Sequence, residues 1–513
     1  MNLYVLFVSA LFAFNSIDCL NILAVMPHMG KSHQLVFEPL FKKLVENGHS
    51  LTLITRYPQK KPVPNWTDIN ISNVEYNSTE IVTFDSLTGT RLDRYLCSKL
   101  LASFAYITCE EGLSHPNYLN FLKTDQHFDL VLIETFNTNC FMGVAKKFKV
   151  PIIGIHSGEW MPWLHGMFSR TNNPSYVSDH FLGHSDSMSF LERVENTIFF
   201  FINQFVYDMF LARQGKQLSK DITGVDLEED MMKNISLLLI NTHFTLNSKL
   251  PLSPNSIEIG GIHVINQPIN PLPKDLKKFI EEAKHGVIYM SLGSTIRGDS
   301  LPEEKKRAFL NAFSRLKQRV VWKWEGEMTG KTPNVLIYRW TPQRDVLCHP
   351  NVKAYIGHSG ILGVMEAVDC SKPILLLPLF GDQFTNAINI QRNGGGIMLH
   401  WNSTNEDAIY DTLQKLLSPK FEKSAKDLSS RFKDRPLAPM ETALYWIHYV
   451  SRHKGAPFMK TAAVDMPFYQ HYLLDVIGFL LVIFLTSFYV IYKSTKCTLK
   501  LLCKRPHQKI KKS

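Results

Sequence analysis

Cysteine is scarce in this sequence. Eight in 513 residues cannot staple a small loop-rich scaffold, so stability must come from a hydrophobic core. Cysteine and histidine also fail to recur at the spacing of a zinc site. No short repeat runs along the chain, which excludes a solenoid or a propeller. Net charge is nearly missing from most of the length. The formal total is +10, but residues 493–513 carry eight bases and no acid, and ten minus eight leaves +2 for the first 492 residues. A body so close to neutral offers no basic surface to a nucleic acid.

What is present is the composition of a folded protein, 45% hydrophobic and 20% charged, long enough for two globular domains. One apolar run, Val476–Tyr492, holds 17 residues without a charge. Extended back to Tyr472, it suits a bilayer core of ~30 Å. The basic residues that follow place the tail in the cytosol by the positive-inside rule. At the other end, the apolar stretch Leu3–Phe14 before Asn15, Ser16 and Asp18 reads as a secretory signal. Sequons at Asn65, Asn70, Asn77, Asn234 and Asn402 lie between the two apolar segments. Three of them sit in a Pro/Asn/Ser-rich stretch that reads as an exposed luminal loop. The expected topology is type I in the endoplasmic reticulum membrane, with Lys509 and Lys511 spaced like a dilysine retrieval signal. Cys497 and Cys503 are juxtamembrane and open to palmitoylation. Cys140, Cys348 and Cys370 adjoin expected core elements and read as buried free thiols.

Two α/β series follow one another. Asn21–Met26, a helix from His33 to Glu46, and Leu51–Thr55 form a βαβ unit, and FDLVLIE (128–134) and VPIIGI (150–155) extend the same parallel sheet. A second series begins near Gly286 with GVIYMSLG, RVVWKW, NVLIYRW, VKAYIGH and PILLLP. Between the series, 251–273 contains five prolines and reads as a linker. The aromatic stretch Met188–Leu211 reads either as an internal helix or as one lying on a bilayer surface. The expected divisions are a signal peptide at 1–20, domains at 21–250 and 274–435 joined by that linker, a membrane-proximal helical segment at 436–471, a span at 472–492 and a basic tail at 493–513.

The densest group of polar residues lies between Trp340 and Gln383. His358-Ser359-Gly360 follows a strand and opens a helix, a place where backbone N–H groups receive a phosphate. Glu366, two turns along that helix, can accept from ribose hydroxyls. Asp382-Gln383 can grip a sugar, Trp340 offers a flat face to a base, and Gln343 offers a polar edge. The Ser291-Leu292-Gly293-Ser294 turn is small enough to lie against a diphosphate.

This block resembles the signature of the UDP-glycosyltransferases, in particular the membrane-bound UDP-glucuronosyltransferase type of animals. Its elements are Trp340-Thr341-Pro342-Gln343, Leu347-Cys348-His349-Pro350, His358-Ser359-Gly360, Glu366-Ala367, Pro373, Pro378 and Asp382-Gln383. Residues 445–475 are similar to the family's membrane-proximal segment. The resemblance implies an α/β fold of two facing Rossmann-like, doubly wound domains (GT-B type) plus a C-terminal transmembrane helix. The first domain would bind a small lipophilic acceptor and the second a UDP-sugar, UDP-glucose or UDP-glucuronate, with no further cofactor. The chemistry it implies is a single displacement that inverts the anomeric carbon. The family's general base matches His33, with His28 a nearby competitor, and the orienting carboxylate matches Glu134, where Asp is usual. Ser359 replaces a usual glycine, Leu362 a frequent asparagine, and Asp369-Cys370-Ser371-Lys372 an ordinary turn. Asp-X-Asp is absent, so a cation-dependent mode and a bound metal are not expected. A degenerate transferase that only binds hydrophobic ligands is the alternative expectation. Sugar, acceptor and a homo-oligomeric state stay open.

Overall fold

The computed structural model describes residues 19–73, 83–84, 92–168, 172–228 and 231–503. The expected signal peptide up to residue 18, the dilysine pair and Asn77 lie outside them. Seven strands form the first sheet: β1 (Asn21–Met26), β2 (Ser50–Thr55), β3 (Trp66–Asn70), β4 (Leu130–Glu134), β5 (Ile152–His156), β6 (Leu237–Ile240) and β7 (Ser256–Glu258). Six form the second: β8 (Val287–Ser291), β9 (Arg319–Lys323), β10 (Val335–Tyr338), β11 (Val352–Gly357), β12 (Ile374–Leu376) and β13 (Gly396–Met398). Both sheets are parallel throughout. β4 and β5 are buried at every position, because helices cover both faces and leave no strand position for a polar side chain.

The strand orders are β3-β2-β1-β4-β5-β6-β7 and β10-β9-β8-β11-β12-β13. Each sheet therefore reverses direction once, between β1 and β4 in the first and between β8 and β11 in the second. At such a switch the loops leaving neighbouring strands part to opposite faces and open a crevice at the carboxyl ends. The helices that matter below are α1 (Lys31–Glu46), α2 (Leu92–Ser114), α3 (Phe190–Val206), α4 (Arg213–Thr223), α5 (Ile361–Asp369), α6 (Gln383–Arg392), α7 (Pro439–Arg452) and α8 (Leu474–Cys503). In α1, Val36, Phe37, Leu40, Phe41 and Leu44 are buried at helical spacing against the first sheet.

Several expectations need correction. The sequon-rich stretch is not all loop: Trp66–Asn70 pairs with β2 as the edge strand, and the Asn70 amide oxygen accepts from Ser72. Asn65, Asn234 and Asn402 are exposed. The first sheet runs past residue 250, since β7 lies within the expected linker. The segment 436–471 is not uniformly membrane-proximal. Ala443, Ile447 and Val450 of α7 are fully buried in the same cluster as Ile22, Leu132 and Ile155, so the chain crosses back to the first half. Compactness divides the chain into 1–460 and 461–513. In the latter unit α8 is long and apolar enough to cross a membrane. Cys140, Cys348 and Cys370 are not free: Cys109 pairs with Cys140 and Cys348 with Cys370. Met188–Leu211 is internal only in part: Phe199, Tyr207 and Leu211 are buried, while α3 leaves a run of apolar side chains in solvent.

Candidate active site

Both switch points open onto one cavity of about 490 Å³. From the first sheet, β1 ends at Met26, and a short turn starts α1 with His33 in its first turn. β4 ends at Glu134 directly beside it. The His33 Nδ1–H donates to Glu134 Oε1 at 2.5 Å, and Ser157 Oγ, just past β5, lies 3.0 Å from the same nitrogen. A carboxylate only accepts, so this contact fixes the proton on Nδ1 and leaves the Nε2 lone pair for a substrate. Glu134 is fully buried whereas His33 keeps 16% of its side chain open. Its second oxygen has no partner among the described residues.

His28 is a structural companion to His33. The two rings stack at 3.7 Å and 14°, and Phe136 meets both edge-on. His28 Nδ1 accepts from the Gly30 N–H. Burial, then the neighbouring His33 and Arg56, hold its pKa well below the usual imidazole value, so it stays neutral. Atoms of His28, His33 and Glu134 come within 4.8 Å of one another. The stacked rings nevertheless run their in-plane lone pairs side by side, so these do not converge on one ion.

The second sheet supplies the opposite wall. Ser291 ends β8, and Gly293 and Ser294 follow it; His358 and Gly360 follow β11; Glu366 is on α5; Asp382 and Gln383 open α6; Trp340 and Gln343 follow β10. All ten line the cavity together with His33. Gly360 caps α5 without a side-chain bond, so the first N–H groups of that helix remain available to an anion. Gly293 has φ +86°, and a Cβ there would lie 2.5 Å from the His358 ring; only glycine permits that approach. Burial, then Lys323, lowers the His358 pKa to about 4, so its ring is neutral and can donate only one hydrogen bond.

The remaining donor-side residues are pre-oriented. Gln343 accepts from the Tyr289 hydroxyl and donates to Glu366 Oε2 at 2.5 Å. Burial raises the Glu366 pKa to about 7, against that hydrogen bond. Gln383 is partly committed, since its carbonyl accepts from the Leu379 and Phe380 N–H groups. Asp382 receives the Asn386 amide. Trp340 is 50% exposed, with the Lys31 ammonium 5.2 Å from its ring centre and that of Lys323 at 5.7 Å. Ser359 is the exception. It takes a left-handed φ of 68°, is buried, and does not line the cavity. Its carbonyl accepts from Asn386, and its hydroxyl has no partner among the described residues. The corner at 358–360 is therefore not plugged by its serine.

Sequence reasoning did not single out Ser157, Lys323 or Cys97, which also line the cavity. The first two sit at strand ends, so the switch-point rule alone was the available signal. Apolar lining comes from Leu100, Leu101 and Phe104 of α2 and from Met161 and Phe181.

Comparison with known proteins agrees with this geometry. A family model described as UDP-glucoronosyl and UDP-glucosyl transferase matches residues 23–509. A UDP-glycosyltransferase UGT5 of Dactylopius coccus is 40% identical, with 94% of this chain and 93% of that protein covered. UDP-glucuronosyltransferase 1A9 of Homo sapiens is 30% identical, covering 92% and 90%. Among solved structures, a glycotransferase of kitacinnamycin gives a TM-score of 0.55 at 17% identity, covering 84% of this chain and 98% of that one. Spinosyn forosaminyltransferase SpnP gives 0.55 at 17%, covering 84% and 99%. These structures share the GT-B arrangement of two facing α/β halves.

Proposed function

The chain belongs to the family of UDP-glucoronosyl and UDP-glucosyl transferases, and on that premise we propose that it moves a hexose or hexuronate from UDP onto the hydroxyl of a small lipophilic acceptor, with His33 as base. It is a UDP-sugar-dependent glycosyltransferase. In the proposed step the acceptor oxygen attacks the anomeric carbon from the face opposite UDP. His33 Nε2 takes the acceptor proton as the new C–O bond forms. Glu134 steadies the imidazolium that results. The bond to UDP breaks, and the diphosphate keeps the electron pair, held by the N-terminus of α5 and by His358. One displacement inverts the anomeric centre. No cation is proposed for the donor side, in keeping with the absence of Asp-X-Asp.

The observation that carries this reading is that His33 and the ten donor-side residues line one cavity. Apolar walls from α2 support a lipophilic acceptor. The exposed sequons and the apolar α8 support a luminal body anchored in the endoplasmic reticulum. Digestion of N-glycans and protease protection of the tail in microsomes test that topology. A purely binding role gains no support from Ser359, which leaves the cavity clear, or from Leu362, which lines it. His33→Ala should reduce kcat by ~10²–10⁴ while calorimetry finds UDP affinity within about twofold of wild type. Undiminished turnover by that variant would remove His33 from the mechanism.

A further inference from the structure

A second cavity, of about 220 Å³, opens at the seam between the two halves and shares no lining residue with the one that holds His33. Its walls come from the loop carrying Tyr176, Ser178 and Asp186, from the stretch after β6 at Asn247 and Lys249, and from the far end of α6 at Asn389, Arg392 and Asn393. It is smaller than the ~300–1,000 Å³ of sites that take drug-sized ligands. Asn247 is its buried anchor, with 3% of its surface exposed. The Asn247 oxygen accepts from the His243 N–H at 3.0 Å, and its NH2 is buried with no partner among the described residues. A buried donor left unpaired costs ~1–3 kcal/mol. The groups around it are only partly used. Asn389 and Asn393 donate through their NH2 groups to the Ser248 hydroxyl and the Asn389 carbonyl, which leaves both side-chain oxygens to accept. Arg392 donates from Nη1 to Asp186 Oδ1 at 2.6 Å. That hydrogen bond holds the Asp186 carboxyl below its usual range, so it stays an acceptor. Tyr176 adds an exposed ring.

We propose that this seam cavity binds the pyranose ring of a sugar. Each sugar hydroxyl both donates and accepts, so a ring of them can use amide NH2, amide oxygen, carboxylate and guanidinium together. A phosphate would instead meet the Asp186 carboxylate and two amide oxygens, which have no hydrogen to offer it. An apolar ligand would find little wall beyond Val177 and Tyr176. The Tyr176 ring pairs an apolar body with a polar tip, which suits the C–H face and the hydroxyl rim of a pyranose.

The placement has a consequence for the donor wall. Asp382 and Gln383 open α6, and Asn389 and Arg392 stand near its other end. A sugar in the seam therefore ties the first half of the molecule to the far end of the helix that carries those two residues. The seam site itself does not depend on the proposed transfer.

Saturation-transfer NMR tests it on the full chain in a detergent without a sugar headgroup, with methyl β-glucopyranoside as the probe. The wild type should give a saturable signal with a millimolar dissociation constant. Asn389→Ala should weaken that binding several-fold. Asn247→Asp should do the same, since it keeps the acceptor for the His243 N–H and has no NH2. Asp382→Ala, in the other cavity, should leave it unchanged. Far-UV circular dichroism checks that each variant is folded. Absence of signal from the wild type would overturn the proposal. So would binding that survives both seam substitutions, and its loss with Asp382→Ala would then place the sugar in the donor cavity instead.

Discussion

At the scale of single residues, the length of one side chain sets how closely the His33 ring is held. Glu134 ends β4 and reaches His33 at 2.5 Å. Glu134→Asp withdraws the carboxylate by about one C–C bond, 1.5 Å. A buried charge-assisted hydrogen bond is worth ~1.5–3 kcal/mol, so kcat should drop ~10–100-fold with little change in KM. Steady-state kinetics measure that split, and an unchanged kcat would mean that the carboxylate has no part in orienting the ring. Glu366 makes a second prediction, through its raised pKa of about 7. Below that value the folded protein holds the carboxyl protonated, and the acceptor proposed for ribose is lost. Above it the anion is available, so UDP affinity should strengthen as pH rises from 6 to 8. Glu366→Gln should bind like wild type at pH 6 and ~10-fold more weakly at pH 8. Titration calorimetry at both values checks this, with UDP's own ionisation common to both proteins.

At the scale of elements, the donor wall is cross-braced. Cys348 follows the short helix Gln343–Leu347, and Cys370 follows α5, which carries Glu366. Their disulfide closes a separation of 22 residues, and Arg344 donates to Asp369 beside it. A loop of that size is stabilised by ~3 kcal/mol in the chain-entropy picture. Cys348→Ser with Cys370→Ser should lower the melting temperature by several degrees and weaken UDP binding more than it alters the His33 side. Differential scanning calorimetry measures the first effect and calorimetric UDP titration the second. The expectation of free thiols failed here because residues 22 apart in sequence carry no sign of facing one another; the packing of α5 on the preceding helix brings them together.

At the scale of the molecule, the proposed transfer requires the two halves to meet. Thr385 donates to the His180 carbonyl at 2.9 Å, the Gly381 N–H reaches Cys97 Sγ at 3.2 Å, and Arg94 lies 4.3 Å over the Phe384 ring. Gly183 is the tightest point. It has φ +65°, and a Cβ there would sit 2.8 Å from that of Phe384. Gly183→Val adds left-handed strain of ~1–2 kcal/mol and pushes the start of α6 away, with Asp382 and Gln383 on it. The KM for UDP-sugar should rise several-fold, measured in the same kinetics, while far-UV circular dichroism stays native. An unchanged KM would show that the contact does not set the donor loop.

Much of this protein was legible without coordinates. Runs such as LVLIE and VIYMS have no polar alternation, so they must be strands covered on both sides. Their order along the chain requires right-handed crossovers and two parallel sheets. The Trp340–Gln383 block is local enough that strand-then-helix order suggests His358, Glu366 and Asp382 at one crevice, and the resemblance to the family supplies the rest of that reading. Three things were decided only by the tertiary structure. Ser157 joins His33 from 124 positions away, the two disulfides close, and α3 buries Asn196, Phe199 and Asn203 while Phe190, Phe201 and Phe205 stay exposed. The reason is common to all three. Periodicity shows which residues share a face, but not which face meets which neighbour, and that depends on contacts between segments far apart in the chain.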